Sequence, residues 1–348
     1  MRVMHAFCQN YNYGDYALAH GVHAFWSNVV DVDFWGTCNV QGERFDEYYI
    51  TEVVNKRYDL LIIGGGGIIH GAHWPNGWFW LIDENLIGKI NIPIVVFSIG
   101  NNYWLEEQIP QRGVSHLNKT KMAAAHFSLR DDGSLLRSAF LGSVDVVPDA
   151  GFFLPWRFKD SDRPIASDYV MLQLAGDKQE MRFGGNQGRA QCLDAIATWC
   201  KSMSSEGYVV VAAPHVFDDI ELYELLEECY GIELVWWPFK SCSFMHTESL
   251  HCWYEHCSLS VAMRGHGQII PLAFGNPVIA LVNHPKHSGL LERYSLSDYA
   301  VSLDSMTSAD LEKLSLDALH NKEKFSSVAK QTEVEGVAWV TKLKSLLL

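Results

Sequence analysis

A chain of 348 residues, 48% hydrophobic and 20% charged, has the composition of an ordinary folded protein and the length of two domains, each able to bury its own core. Its net charge of −14 excludes a general nucleic-acid-binding role, because such a groove needs a basic stripe that releases counterions; a small anion can still bind at a local cluster of cations. The opening MRVMHAFC reads as a strand rather than an export signal, no apolar run reaches the roughly 20 residues that span a bilayer, and the cysteines form no CxxC pair. The expectation is a protein of the reducing cytoplasm, with at most a peripheral contact at the inner face of a membrane.

In the first half, apolar runs at Met1–Phe7, Asp59–Ile63, Ile94–Ile99, His126–Leu129 and Val144–Val147 alternate with segments of helical character. Nearly continuous apolar runs predict strands covered on both faces, and the alternation predicts a parallel sheet flanked by helices, with ligands at the carboxyl ends of the strands. After the first strand comes NYNYGD. Here Asn12 and Asp15 sit near a helix start, where a capping role and a carboxyl group facing a cleft are both open. In DLLIIGGGGIIH four glycines follow a strand; Gly65 and Gly66 either let a ligand approach the backbone or shape a crowded strand-to-helix turn. The tryptophan-rich stretch behind them, with His73, Trp74, Trp78, Phe79 and Trp80, reads as a stacking wall for a sugar or as buried core. In SLRDDGS, Arg130 ends a strand before a new helix, as a cleft-facing cation or as a partner of the neighbouring aspartates.

The polar, proline-containing stretch from Pro155 to Ser167 reads as a linker, giving domains at 1–160 and 161–348. The rhythm then restarts at Tyr169–Leu174, Tyr208–Ala213, Leu234–Trp236, Leu259–Met263 and Val278–Leu281, with a helical segment at Asp219–Cys229 and a terminal helix from Lys322 that can return to the first domain. The strongest segment is SVAMRGHGQIIPLAFGNPVIAL, Ser260 to Leu281, which reads as strand, turn, helix and strand. It sets Arg264 and His266 at a helix amino terminus, where the arginine fork, backbone donors and the helix dipole suit an anionic, phosphorylated small molecule. Lys286, after the next strand, adds a cation to the same edge or is merely solvated. His246, His251 and His256 recur at a spacing that does not keep three ligands on one helical face, and neither HExxH nor GxSxG occurs, so neither a metal site nor a serine hydrolase is expected.

Taken in order, NYGDYAL, the strand ending in GGGG, SLRDDGS, PDAGFF at Pro148–Phe153 and RGHGQIIPLAFGNPVIAL resemble the polysaccharide pyruvyl transferase family over roughly residues 8 to 295. The resemblance implies an α/β fold like that of GT-B glycosyltransferases, two Rossmann-like domains facing across a cleft, with the acceptor on the first and the donor on the second. It implies transfer of the enolpyruvyl unit of phosphoenolpyruvate to a sugar of a cell-surface glycan or its lipid- or nucleotide-linked precursor, as a pyruvyl ketal, without a cofactor. Carried over by motif, Asp15, Arg130, Arg264, His266 and Lys286 are the functional set, with Asp15 and His266 as the proton-handling groups. This chain has Gly265 where the family more often has a bulky residue. The competing expectations are a GT-B glycosyltransferase that takes a nucleotide sugar in the same turn, and a carbohydrate-binding protein without catalysis.

Overall fold

The computed structural model describes residues 1–42, 45–71, 74–102, 109–239 and 247–347. Its first sheet contains β1 (Arg2–Phe7), β2 (Phe34–Asn39), β3 (Leu60–Ile69), β4 (Ile94–Asn101), β5 (His126–Arg130) and β6 (Asp145–Val147), in the order β2-β1-β3-β4-β5-β6. The second contains β7 (Tyr169–Gln173), β8 (Val209–Ala212), β9 (Val235–Trp236), β10 (Leu259–Ala262), β11 (Val278–Val282) and β12 (Ala300–Ser302), in the order β12-β11-β10-β7-β8-β9. Every described strand pair is parallel. In the second sheet the order reverses between β7 and β10, which is the Rossmann arrangement; ligands of such sheets bind outside the carboxyl ends at that reversal.

The described helices of nine or more residues are α1 (Tyr13–Trp26), α2 (Gln111–Ala123), α3 (Asn186–Ser205), α4 (Ile220–Tyr230), α5 (Gly265–Ala273), α6 (Pro285–Arg293), α7 (Ser308–His320) and α8 (Lys322–Leu347). Contacts divide the chain into two compact units. The first holds Met1–Asn10, Leu18–Phe153 and Glu333–Leu348; the second holds Tyr11–Ala17 and Leu154–Thr332. Two stretches thus depart from a single cut near residue 160. In the first unit, the end of α8 is tied down by Lys342, which pairs with Asp145 at 2.9 Å and lies over the Trp339 ring. In the second, the first turn of α1 joins residues far along the chain.

Strands β4, β5, β7 and β10 are buried at every residue, as strands covered on both faces must be. The glycine run departs from the expectation that it follows a strand: β3 continues through all four glycines. Gly65, at φ +71°, lies under α1, and a Cβ there would stand 2.9 Å from Val22 Cγ2. The run therefore lets a helix settle onto the middle of a strand. The tryptophan-rich stretch is core where it is described: Trp78 and Trp80 are fully buried, and the Trp78 indole N–H donates to His116 Nδ1 at 2.9 Å. His73 lies outside the described residues.

One buried polar contact chain crosses this first core. His5 of β1 bonds through Nε2 to the Gly64 carbonyl at 2.9 Å and through Nδ1 to His23 Nε2 at 3.2 Å. Full burial pushes the His5 imidazole down to about 4.

Candidate functional site

The reversal point of the second sheet is where β10 delivers Arg264. Its backbone N–H donates to Gln173 Oε1, at the end of neighbouring β7, at 2.7 Å, and its extended backbone makes it the N-cap of α5. Pro271 lies inside that short helix and lacks the N–H that would bond the Gly267 carbonyl; the Ser260 hydroxyl donates to that carbonyl instead, at 2.8 Å. A buried hydroxyl on β10 thereby keeps the proline-containing helix closed against its own strand.

The Arg264 guanidinium is held from one side by Asp219, with Nε donating to Oδ2 at 3.1 Å and Nη2 to Oδ1 at 2.5 Å. Asp219 is fully buried just ahead of α4 and also accepts the backbone N–H groups of Gly176, His215 and Val216. Nη2 of Arg264 further donates to Asp177, in the loop after β7. Burial opposes the charge on Arg264, but Asp219 and then Asp177 outweigh it, so its pKa lies above the ordinary arginine value. Arg182 completes the row. Its Nη2 donates to both Asp177 carboxylate oxygens, at 3.1 and 3.0 Å, its Nε to the Asp177 carbonyl at 2.7 Å and its Nη1 to Asn283 Oδ1 at 3.1 Å. Burial would raise the Asp177 carboxyl, yet the two guanidiniums hold it below the usual carboxylate range.

His266 lies two residues into α5, against the first turn of α1. The closeness is extreme: a Cβ on Gly14 would fall 1.8 Å from His266 Nδ1, so only glycine at 14 admits the imidazole there. Asn12 fixes that turn by accepting the Gly14 N–H on Oδ1 at 2.9 Å and the Asp15 N–H on its carbonyl at 3.1 Å. Tyr13, fully buried, anchors the turn below. Its N–H donates to the His215 carbonyl at 2.9 Å, and its hydroxyl bonds His251 Nδ1 at 2.7 Å. Burial pushes His215 well below the ordinary histidine value, and Arg264 and His266 press it down further. Asp15, itself half-buried, stands in the same first turn.

Lys286 occupies the first turn of α6, behind Pro285, and its N–H donates to Nδ1 of the capping His284 at 3.2 Å. Its stem passes Gly265: a Cβ at 265 would meet only Lys286 Cε, at 3.9 Å, an ordinary contact. A side chain at this position is thus sterically admissible.

The second unit accordingly holds Asn12, Asp15, Arg264, His266 and Lys286, with the Gly14 turn against His266 and the Lys286 stem beside Gly265. Arg130, Gly65 and Gly66 belong to the first unit. There Arg130 is fixed by Asp132 at 2.7 Å and Asp149 at 3.0 Å with its side chain 4% exposed. Its guanidinium lies against Gly100, where a Cβ would fall 2.1 Å from Nε. The histidine series leads elsewhere: His251 bonds Tyr13, His256 bonds the Ser161 carbonyl at 2.7 Å, and His246 lies outside the described residues. Among the described residues no group of three His, Cys, Asp or Glu could hold a metal ion, and no helix is long and apolar enough to cross a membrane. Sequence reasoning passed over Asp177, Arg182 and Gly14. Asp219 had a visible signal as the first residue of a helical segment, but a capping aspartate is too common a feature to mark a partner for Arg264.

Solved structures of similar fold cover nearly the whole chain. UDP-GlcNAc 2-epimerase from Methanocaldococcus jannaschii, 12% identical, aligns over 96% of this chain and 99% of its own with a TM-score of 0.58. The UDP-GlcNAc 2-epimerase of Neisseria meningitidis is 9% identical over 94% of each chain with a TM-score of 0.54. The glycosyltransferase SnogD from Streptomyces nogalater is 12% identical over 99% and 100% with a TM-score of 0.52. At such identities the likeness concerns the fold, which is that of GT-B glycosyltransferases and their epimerase relatives. No curated protein matches at the level of sequence. The family model described as polysaccharide pyruvyl transferase matches residues 12–252, more than half of the sequence and including the Asn12 turn, Arg130, Asp177 and Asp219. The chain belongs to the polysaccharide pyruvyl transferase family.

Proposed function

We propose that the protein transfers the enolpyruvyl unit of phosphoenolpyruvate to two hydroxyls of a sugar in a cell-surface glycan or its lipid- or nucleotide-linked precursor, forming a pyruvyl ketal. The observation that carries the reading is the contact of His266 with Gly14, which joins the early NYGD turn and the late RGHG turn beside a fixed arginine. Phosphoenolpyruvate brings a phosphate and a carboxylate, and Arg264 and Lys286 are cations at the starts of two helices whose dipoles also favour anions.

In this reading Arg264 and Lys286 hold the anionic groups. Asp15 protonates the methylene carbon, and the neighbouring carbon takes up positive character. A sugar hydroxyl adds to that carbon, and the phosphate departs toward Arg264, Lys286 and His266. Closure by the second hydroxyl completes the ketal; of the two hydroxyl protons, one replaces that given by Asp15 and the other leaves on phosphate. Arg264 needs no reorganisation during this sequence because Asp219 already fixes it, and preorganised charge is the larger part of such stabilisation. The second reading, a glycosyltransferase, makes a different demand on the same turn, namely a nucleoside diphosphate.

The test is phosphate release from phosphoenolpyruvate with a panel of galactose and N-acetylmannosamine derivatives, free and nucleotide-linked. Release with at least one acceptor, lost in Arg264→Ala, is the expected result. Wild-type turnover in Arg264→Ala, or selective binding of uridine or guanosine diphosphate without any phosphate release, removes the proposal.

A further inference from the structure

The second sheet's carboxyl edge contains two guanidiniums with one carboxylate between them. Asp219, on the far side of Arg264, is permanently engaged: it is fully buried and three backbone N–H groups bind it besides the arginine. Asp177 is different. Its side chain is 27% exposed, and among the described residues its carboxylate pairs with Arg264 and Arg182 alone. One of its oxygens, Oδ1, touches Nη2 of both arginines.

We infer that Arg264 and Arg182 form an oxyanion subsite that Asp177 fills in the absence of substrate, so that a phosphate or carboxylate of the substrate must displace the Asp177 side chain. The inference rests on the reading above for its ligand, phosphoenolpyruvate, but names a further binding residue, Arg182. Removal of the carboxylate leaves both cations in place. Arg182 keeps its bonds to the Asp177 carbonyl and to Asn283, and Arg264 keeps its two-point bond to Asp219. Nη1 of Arg264 also has no hydrogen-bond partner among the described residues. Planar forks of this kind match carboxylate and phosphate oxygens alike.

Charge accounting points the same way. With Asp177 and Asp219 both in place, the two guanidiniums are neutralised one for one, and an incoming anion meets little net attraction. Rotation of Asp177 toward solvent exposes a net positive pair. The short helix Gln179–Phe183, which supplies Arg182, is flanked by Lys178 at φ +53° and by Gly184 and Gly185 at φ +63° and +98°. The backbone here changes direction at both ends of the helix without involving the sheet.

Calorimetric titration of the full chain with inorganic phosphate and, separately, with phosphoenolpyruvate tests this. Asp177→Asn removes the competing charge and is expected to tighten both by about tenfold, as when a binding-competent state ceases to be a minor one. Arg182→Gln is expected to weaken both by about tenfold, and Arg182→Lys by less. Weaker or unchanged phosphate binding by an Asp177→Asn protein that melts like wild type overturns the inference and makes Asp177 a positioning residue. Should that variant not fold, hydrogen exchange of the wild-type segment 177–185 decides. Faster exchange on adding phosphate supports displacement, and unchanged or slower exchange refutes it. The two proposals fail separately: tighter inorganic phosphate binding in Asp177→Asn without turnover of phosphoenolpyruvate keeps the subsite and removes the donor, whereas turnover with weaker binding does the reverse.

Discussion

The contact between Gly14 and His266 makes Gly14→Ala a quantitative test of the site. The new Cβ would stand 1.8 Å from Nδ1 of the ring, whereas ordinary contacts between such atoms lie near 3.5 Å, so the imidazole must retreat by about 1.7 Å. A misplacement of 1 Å in a reacting group costs on the order of a hundredfold in rate, so kcat/KM for phosphate release should fall by about 100-fold or more, equivalent to roughly 2.7 kcal/mol. Stability should respond less, by a net loss of between roughly 0 and 2.5 kcal/mol. Alanine gains about 0.5–1 kcal/mol over glycine in a helix, against roughly 1–3 kcal/mol for the forced repacking. The assay is initial-rate phosphate release beside a thermal melt, for Gly14→Ala, His266→Ala and the double variant. If the methyl acts through the ring, it costs less once His266 is alanine, whose remaining Cβ would stand 2.9 Å from the new one, a non-additivity expected of touching residues. Turnover of Gly14→Ala within twofold of wild type, or an equal loss in the His266→Ala background, refutes the argument.

Three further outcomes follow from the same geometry. Asp219→Ala leaves the Arg264 charge and three backbone N–H groups without their shared acceptor, and chemical denaturation should show a loss of about 3–5 kcal/mol. Gly265→Ala should melt at or slightly above the wild-type temperature, since its Cβ meets only Lys286 Cε at 3.9 Å; a drop of several degrees would show the position to be closed. His5 and His126 are both pushed down to about 4 from 6.5 by burial, so the unfolded chain takes up protons that the folded chain refuses. Stability is therefore full above pH 6.5 and is lost as pH falls toward 4, by about 3 kcal/mol per histidine at the low end. Denaturation curves at pH 7 and 4.5 check this, and His5→Gln should flatten the difference.

The parts of the fold that were legible in the sequence are those whose residues all do the same thing. The central strands β4, β7 and β10 carry mostly apolar text because both faces are covered, and each is visible in the sequence. The edge strands β2 and β12 were not anticipated. Edge strands alternate buried and exposed residues over a few positions, as FWGTCN does, and such text does not stand out from loops. The strand-turn-helix from Ser260 to Leu281 is legible because glycine, the apolar run and Gly275-Asn276-Pro277 all punctuate at the right places. Glycine usually breaks strands, so the text puts the run after β3, whereas the close approach of α1 keeps it inside the strand. At the site, Arg264 and His266 were legible from their place at a helix start. Asp177 and Arg182 were not, since GDKQEMRFGG is indistinguishable from a solvated loop until β7 and β10 lie side by side.

The imidazole pair under the glycine strand has a direction. The Gly64 carbonyl can only accept, so His5 must carry its proton on Nε2, its Nδ1 must be the acceptor, and His23 must carry a proton on Nε2. Neither ring can reverse tautomer without leaving two lone pairs facing each other in a site closed to water. The first core thus contains two tautomer-locked N–H bonds, one whose proton is released when β1 and β3 part and one when α1 lifts from β1, and their nitrogen resonances would report how often each opening occurs.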